Sequence, residues 1–253
     1  MTSLSGKHAV VTGGGTGIGA AIALRLAAAG ARVSIVGRRK GPLEDVAARA
    51  SGISPFICDV TDADAVRAML ESAEEVNGPA GILVANAGAA LSKPFKAMSL
   101  DDLNGMLAVN LAGTFNLWRQ GLAGMQKLGT GRMIAVASMA GLKGYSYVSG
   151  YVAAKHAVVG LTRALALELA ATNITVNAIC PGFTETPLLE ASVQNIVAKT
   201  GRSAQDAARA LSSGNPQGRF ITPDEIAATT LWLCSDDARS INGQAIAVSG
   251  GEA

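Results

Sequence analysis

The sequence predicts a single-domain α/β protein, a doubly wound parallel sheet of about seven strands with helices on both faces. Three observations predict it. Short β-branched runs alternate with longer Ala- and Leu-rich stretches of helical period. No repeat, low-complexity tract or polar linker divides the 253 residues. The apolar share is 49%, which suits strands covered on both sides. The longest apolar stretch, residues 152–171, carries Lys155, His156, Arg163 and Glu168, so no membrane span is expected.

Strands are predicted at 8–12, 32–36, 55–58, 82–85, 133–137, 175–179 and 245–248. Helices are predicted at 17–29, 43–50, 62–76, 103–127, 151–170 and 223–233. Thr61 to Asp64 and Ser99 to Asp102 supply caps and first-turn acids for two of these helices. Thr222 caps the last, with Pro223 just inside its start. Residues 183–220 break the rhythm with Thr184, Thr186, Pro187, Gly201 and the runs Ser212-Ser213-Gly214 and Pro216-Gln217-Gly218. The expectation there is a long irregular segment acting as a substrate lid.

A net charge of +2, with Arg38, Arg39 and Lys40 as the only basic knot, argues against a nucleic-acid partner. A first strand opening at His8 leaves no room for a signal peptide, and the expectation is a cytoplasmic protein. Cys58, Cys180 and Cys234 lie in apolar sequence without metal-ligand spacing. They read as buried free thiols of a reducing compartment. His8 and His156 read as structural, and no metal site is indicated.

The first strand runs directly into Thr12-Gly13-Gly14-Gly15-Thr16-Gly17-Ile18-Gly19 and then an Ala-rich helix. Glycines permit a tight turn and close backbone approach, and the helix N-terminus offers free N–H groups to a pyrophosphate. Five glycines in the seven positions 13–19 exceed what an ordinary turn requires. The spacing, Gly13-x3-Gly17-x-Gly19, differs from the usual dinucleotide fingerprint, but strand before and helix after are the confirming context of a Rossmann-type site. An NAD-type site places an acid at the end of the second strand to hold the ribose. No acid occurs between Arg32 and Leu43. Arg38 and Arg39 stand there instead, and their planar forks suit a 2′-phosphate, so NADP(H) is the expected cofactor, with NAD(H) the alternative.

Four further pieces complete a pattern: Asn86-Ala87-Gly88 after the fourth strand, Asn110 in the fourth helix, Ser138 at the end of the fifth strand, and Tyr151-x3-Lys155 opening the next helix. With residues 12–19 in front, the chain resembles the short-chain dehydrogenase/reductase family over essentially its whole length. Within it, Cys180-Pro181-Gly182-Phe183-Thr184-Glu185-Thr186-Pro187 and Asn215-Pro216-Gln217-Gly218-Arg219-Phe220 look like reductases of 3-oxoacyl thioesters, polyketide ketoreductases included. The resemblance implies that Tyr151 donates and accepts the proton, Lys155 activates it, Ser138 anchors the carbonyl and Asn110 holds a relay water. It implies a cofactor site of Gly13, Gly15, Thr16, Gly17, Ile18, Gly19, Arg38, Arg39, Asp59, Val60, Asn86, Gly88, Tyr151, Lys155, Pro181, Gly182, Thr184 and Thr186. Asp59 and Val60 would frame the adenine, and Thr186 would hold the nicotinamide carboxamide. It also implies a homotetramer. Thr16 departs from the basic residue that many NADP-using members carry there, which leaves Arg38 and Arg39 as the case for NADP.

The residue types suit the chemistry. Hydride addition to a ketone leaves an alkoxide that must be protonated as it forms. A free tyrosine titrates near 10, and a lysine one helical turn on is expected to draw that value toward neutrality. Of the three tyrosines only Tyr151 has a lysine four residues later; Tyr145 and Tyr147 have Ser149 and Tyr151. Ser138 could donate to the same substrate oxygen. The first expectation is reduction of a ketone, a 3-oxoacyl thioester above others, to a secondary alcohol. The alternatives are a 3-hydroxyacyl-CoA or secondary-alcohol dehydrogenase working oxidatively with NAD(P)+, and a dinucleotide-binding regulator without turnover. A pure binder has no need of proton-transfer residues, which argues against the last.

Overall fold

The computed structural model describes residues 3–252. Seven parallel strands form one sheet in the order β3-β2-β1-β4-β5-β6-β7. They are β1 (His8–Thr12), β2 (Arg32–Gly37), β3 (Ile53–Ile57), β4 (Ala80–Ala85), β5 (Gly131–Val136), β6 (Ile174–Pro181) and β7 (Ala245–Val248). All seven were legible in the sequence, β1 and β7 at their exact bounds and the other five with shifted ends. β3 starts two residues early because Ile53 and Ser54 pair with Val33 and Ser34. Pro55 is accommodated because β3 lies at the sheet edge, where a missing N–H breaks no ladder on the open side.

Alternating residues of each strand feed the two sides. On β1, Val10 joins a core with Leu83, Met133, Leu117 and Val176, while Ala9 and Val11 join another with Ile22, Leu26, Ile82 and Ile226. The helices that cover these faces are α1 (Gly17–Ala28), α2 (Lys40–Ala47), α3 (Ala63–Asn77), α4 (Leu100–Leu107), α5 (Gly113–Leu128), α6 (Ser149–Glu168), α7 (Pro187–Thr200), α8 (Ala204–Ser212) and α9 (Pro223–Leu233). Asp62 caps α3 by accepting from the N–H groups of Asp64 and Ala65. Ser99 and Asp102 form a capping box at α4. α2 begins at Lys40, three residues before its predicted start, with Pro42 inside the first turn, where its missing N–H costs nothing.

Two expectations are corrected. The single helix predicted at 103–127 begins at Leu100 and is interrupted by a π turn over residues 108–112. The segment 183–220 is not irregular: it carries α7 and α8. α7 buries only Leu189 and shows little apolar stripe, while α8 is amphipathic but only nine residues long, too short for its period to stand out in the sequence. The stop and start signals were present. Thr186 caps α7 through the Leu189 N–H, Pro187 occupies the first turn, and Gly201 ends it at a left-handed φ of 69°.

Candidate active site

The strand order reverses between β1 and β4, and a doubly wound sheet opens a crevice at the C-terminal ends of such a pair. The glycine turn follows β1 and Asn86 follows β4, so both stand at that crevice. Buried Thr12 knits them: its hydroxyl accepts from the N–H groups of Asn86 and Ala87 at 3.0 and 3.1 Å. The Asn86 amide donates to the carbonyls of Thr12 and Gly13 at 2.9 and 3.2 Å. Nothing in the sequence marked Thr12 for this beyond its place at a strand end.

The turn has no room for side chains. Gly13 holds a φ of +66°, and a Cβ on Gly19 would lie 2.2 Å from the Gly13 carbonyl oxygen. Gly15 packs on Pro42, and Gly17 lies against Thr186, whose methyl is 3.1 Å from where a Cβ would be. Thr16 precedes α1 with its hydroxyl uncommitted to a cap, and Ile18 and Gly19 follow in the first turn, which contains no acid. This bare backbone at a helix N-terminus fits a dinucleotide pyrophosphate. The Gly13 N–H donates to the Val36 carbonyl at 2.7 Å, which brings the end of β2 alongside. Arg38 and Arg39 therefore stand exposed next to the cradle. Arg38 lies 3.8 Å from Asp59, whose carboxyl is held below the usual range chiefly by hydrogen bonds from Thr61. Val60 packs against Gly113, where a Cβ would stand 2.6 Å from its methyl, and its carbonyl accepts from Asn116.

On the other side of the crevice, Ser138, Tyr151, Lys155 and Asn110 come together with Gly88. Ser138 lies two residues beyond β5, where it caps the short turn Met139–Gly141, and its Oγ accepts from the Ala140 N–H at 3.0 Å. Its side chain is hydrogen-bonded to the Tyr151 hydroxyl, and Lys155 Nζ stands 5.7 Å from the Tyr151 ring centre. Lys155 is buried and donates to the Val136 carbonyl at 2.8 Å. Asn110 sits in the π turn, a local widening that is frequent at functional sites. Its amide nitrogen donates to the carbonyls of Ala89 and Met106 at 2.9 and 3.0 Å. That fixes the amide orientation and leaves Oδ1 buried with no protein partner. A Cβ on Gly88 would lie 2.7 Å from that Oδ1 and 3.7 Å from Lys155 Nζ. A buried acceptor without a donor is costly, and a bound water is the ordinary solution. Thr114, which sequence reasoning missed, donates to the Asn110 backbone carbonyl at 2.9 Å.

Desolvation sets the electrostatics of the Tyr151–Lys155 pair in the chain without its cofactor. Burial pushes the Tyr151 hydroxyl above its ordinary value, only partly offset by the Ser138 hydrogen bond, so the lysine does not draw it toward neutrality in the chain alone. Burial also lowers Lys155 to about 8. Both groups are desolvated, and desolvation favours the neutral form of each. The site thus sets a phenol raised above its ordinary value beside an amine lowered to about 8.

Pro181, Gly182, Thr184 and Thr186 carry the chain from β6 into α7. The Gly182 N–H donates to Val248 at 3.0 Å, and the Thr184 hydroxyl donates back to the Gly182 carbonyl at 2.9 Å. Thr186 meets Gly17 here, so this turn closes against the glycine cradle. The three cysteines are buried and free. Among the described residues no helix is long and apolar enough to cross a membrane.

Fold and site together define an α/β dinucleotide-binding protein with a proton-transfer set at the sheet's switch point. The comparisons with known proteins agree. The short chain dehydrogenase family model matches residues 7–196. The chain is 38% identical over 253 residues to D-beta-hydroxybutyrate dehydrogenase of Cupriavidus necator, covering 98% of each. It is 34% identical over 252 residues to a 3-oxoacyl-[acyl-carrier-protein] reductase of Thermotoga maritima, again covering 98% of each. A variant of actinorhodin polyketide ketoreductase solved with NADPH superimposes with a TM-score of 0.93 at 33% identity, covering 97% of this chain and 96% of that one. The chain belongs to the short-chain dehydrogenase family and is an oxidoreductase of that family.

Proposed function

We propose that the protein reduces a ketone, a 3-oxoacyl thioester above others, to a secondary alcohol with NADPH. The observation that carries this reading is the convergence at the crevice of Ser138, Tyr151, Lys155 and Asn110: the half-buried Tyr151 is hydrogen-bonded to Ser138, and Lys155 Nζ stands 5.7 Å from its ring centre. A phenol that keeps its proton at neutral pH is the form that gives one to a nascent alkoxide. A nicotinamide dinucleotide, when bound in the cradle, would supply the hydride. Ser138 and Tyr151 hold the carbonyl oxygen between them, and Tyr151 delivers the proton to it. Lys155, buried beside the ring, steadies the phenolate that remains, and a water on Asn110 Oδ1 returns a proton from solvent. The glycine turn holds the pyrophosphate. Arg38 and Arg39 hold the 2′-phosphate, Asp59 and Val60 border the adenine, and Asn86, Gly88 and the turn Pro181–Gly182 with Thr184 and Thr186 line the nicotinamide end.

NADPH is supported by the missing acid after β2, by the exposed arginine pair beside the cradle, and by the ketoreductase solved with NADPH. The same set run backward oxidises a hydroxyacid or alcohol, and the D-beta-hydroxybutyrate dehydrogenase relatives favour keeping that second reading. We read the whole chain as one catalytic domain working in the cytoplasm, with residues 183–220 as a helical lid over the substrate. We read it also as a homotetramer, since Phe95, Leu100, Phe115 and Leu167 are exposed. Initial rates with NADPH and with NADH on acetoacetyl-CoA, plain ketones and 3-hydroxybutyrate test the reading. It predicts fastest turnover with NADPH and the thioester. Activity confined to NAD+ and the hydroxyacid would establish the oxidative alternative, and none with any pair would favour a regulator.

A further inference from the structure

Glu252 is the only acid of the C-terminal turn, and its side chain is 4% exposed. A carboxylate is expensive to bury unless donors and cations meet it. Here they do. The Tyr145 hydroxyl donates to Glu252 Oε1, and Lys143 Nζ lies 3.2 Å from the same oxygen. The backbone is shaped to deliver the acid. Gly250 and Gly251 take left-handed φ values of 66° and 95°, and the Ser249 hydroxyl donates to the Glu252 carbonyl at 3.0 Å. On its other sides the carboxylate rests against Gly182 and Gly214, where a Cβ would be 3.3 Å from Oε2 and Oε1 respectively. One buried acid therefore touches the loop after Ser138, the turn after β6 and the segment following α8.

Tyr145 is the partner with a view of the chemistry. Its ring meets Phe183 edge to face at 6.1 Å between centres, and it lies within electrostatic reach of Tyr151. Tyr145 is half-buried against the core, while Leu142, Gly144, Ser146 and Tyr147 of the same loop are exposed. A cavity of about 590 Å³ opens there, lined by Met139, Leu142, Lys143, Gln217, Ser249 and Glu252. With open space beside Leu142 and Lys143, the polar tie of Tyr145 to Glu252 adds to its ring packing in locating the loop.

We propose that Glu252 is a positioning residue of the substrate pocket, holding Tyr145 against Phe183 as the aromatic wall beside Tyr151. The tie engages the Tyr145 hydroxyl, so the wall presents ring surface, which suits an apolar arm of the ketone. The inference rests on the proposed ketone reduction at Tyr151 for its consequence, though the tie itself does not.

The test uses the full chain and the variants Glu252→Ala, Tyr145→Phe, their combination, and Glu252→Gln. Glu252→Ala and Tyr145→Phe are each expected to raise KM for acetoacetyl-CoA about tenfold, with kcat within about threefold and NADPH affinity within about twofold; a tenfold change corresponds to about 1.4 kcal/mol. The double variant should match the worse single one, because both break the same contact. Glu252→Gln, which keeps an oxygen for the Tyr145 hydroxyl, should recover most of the KM. Independently of activity, amide exchange over residues 142–148 should quicken about tenfold in Glu252→Ala while β5 stays protected. Unchanged exchange, or KM effects that simply add, would overturn the proposal. A parent enzyme that reduces no ketone would overturn the functional reading instead, and the exchange measurement would still decide the tie.

Discussion

Tyr151 and the groups around it are arranged for one proton, and single substitutions should separate that role from cofactor binding. Tyr151→Phe keeps the ring that packs beside Lys155 and removes the transferable proton; NADPH binding should stay within about twofold while turnover falls by roughly 10²-fold or more. Gly88→Ala places a methyl 2.7 Å from Asn110 Oδ1. Overpacking of this kind costs about 1–3 kcal/mol. The displaced Asn110 should lower kcat about tenfold or more in steady-state kinetics. Arg38 and Arg39 are proposed to carry the cofactor preference. Two charge-assisted contacts at about 1.5–3 kcal/mol each would favour NADPH over NADH by about 100-fold or more. Replacing both with Ala should raise KM for NADPH steeply and leave NADH kinetics nearly unchanged. Far from this site, His8 is buried at the opposite end of β1, with Nδ1 donating to the Gly78 carbonyl at 2.6 Å and Nε2 accepting from Ser34 at 2.8 Å. Asn77 donates to that same Ser34 hydroxyl at 3.0 Å, so the trio is satisfied only with a neutral ring. Burial lowers the His8 pKa below 6.5, so the unfolded chain binds its proton first. The stabilisation is complete above 6.5 and is lost as pH falls below it. Urea midpoints should therefore drop between pH 7 and pH 5, and His8→Gln should flatten that slope.

At the scale of elements, the legible parts were those whose burial leaves a period in the sequence. β1, β4, β5 and β6 are buried almost throughout and read as continuous apolar runs. Ser138, Tyr151 and Lys155 were legible because a strand end and a one-turn spacing place them without tertiary information. The π turn was not, because no local periodicity marks it, and the contact it accompanies, from the Asn110 amide to the Ala89 carbonyl, lies 21 residues away in the chain. α7 and α8 escaped notice because α7 buries a single residue and α8 is only nine residues long, and their evidence lay in the Thr186-Pro187 start and the Gly201 stop. Glu252 and Thr114 were invisible for the same reason: an isolated polar residue shows its partner only once the chain is folded. These two helices also carry a prediction. With so little apolar area anchoring them, α7 and α8 should exchange their amides much faster than β5 in the cofactor-free protein and slow when NADPH and a ketone bind. Protection equal to β5 before any ligand is added would remove the lid.

The molecule as a whole places the proposed chemistry where the sheet reverses direction, with the glycine turn after β1, Ser138 after β5, Tyr151 and Lys155 on α6, and the proposed lid of α7 and α8 after β6. Each face of the sheet has its own core, so the crevice is framed by rigid layers and only α7, α8 and the 142–148 loop border it loosely. The surface keeps Phe95 and Leu167 about four-fifths exposed, and Phe115 about half, on the helical side of the chain. A tetramer of about four times 25.5 kDa is therefore expected by light scattering at micromolar concentration, and a monomeric mass would contradict it. The measurement that tests the central claim most directly is NADPH oxidation driven by acetoacetyl-CoA, followed for the parent and Tyr151→Phe side by side with NADPH affinity determined for both. Robust turnover in the parent and its loss by roughly 10²-fold or more in a variant that still binds NADPH is the predicted result. Equal rates in the two proteins would contradict the account.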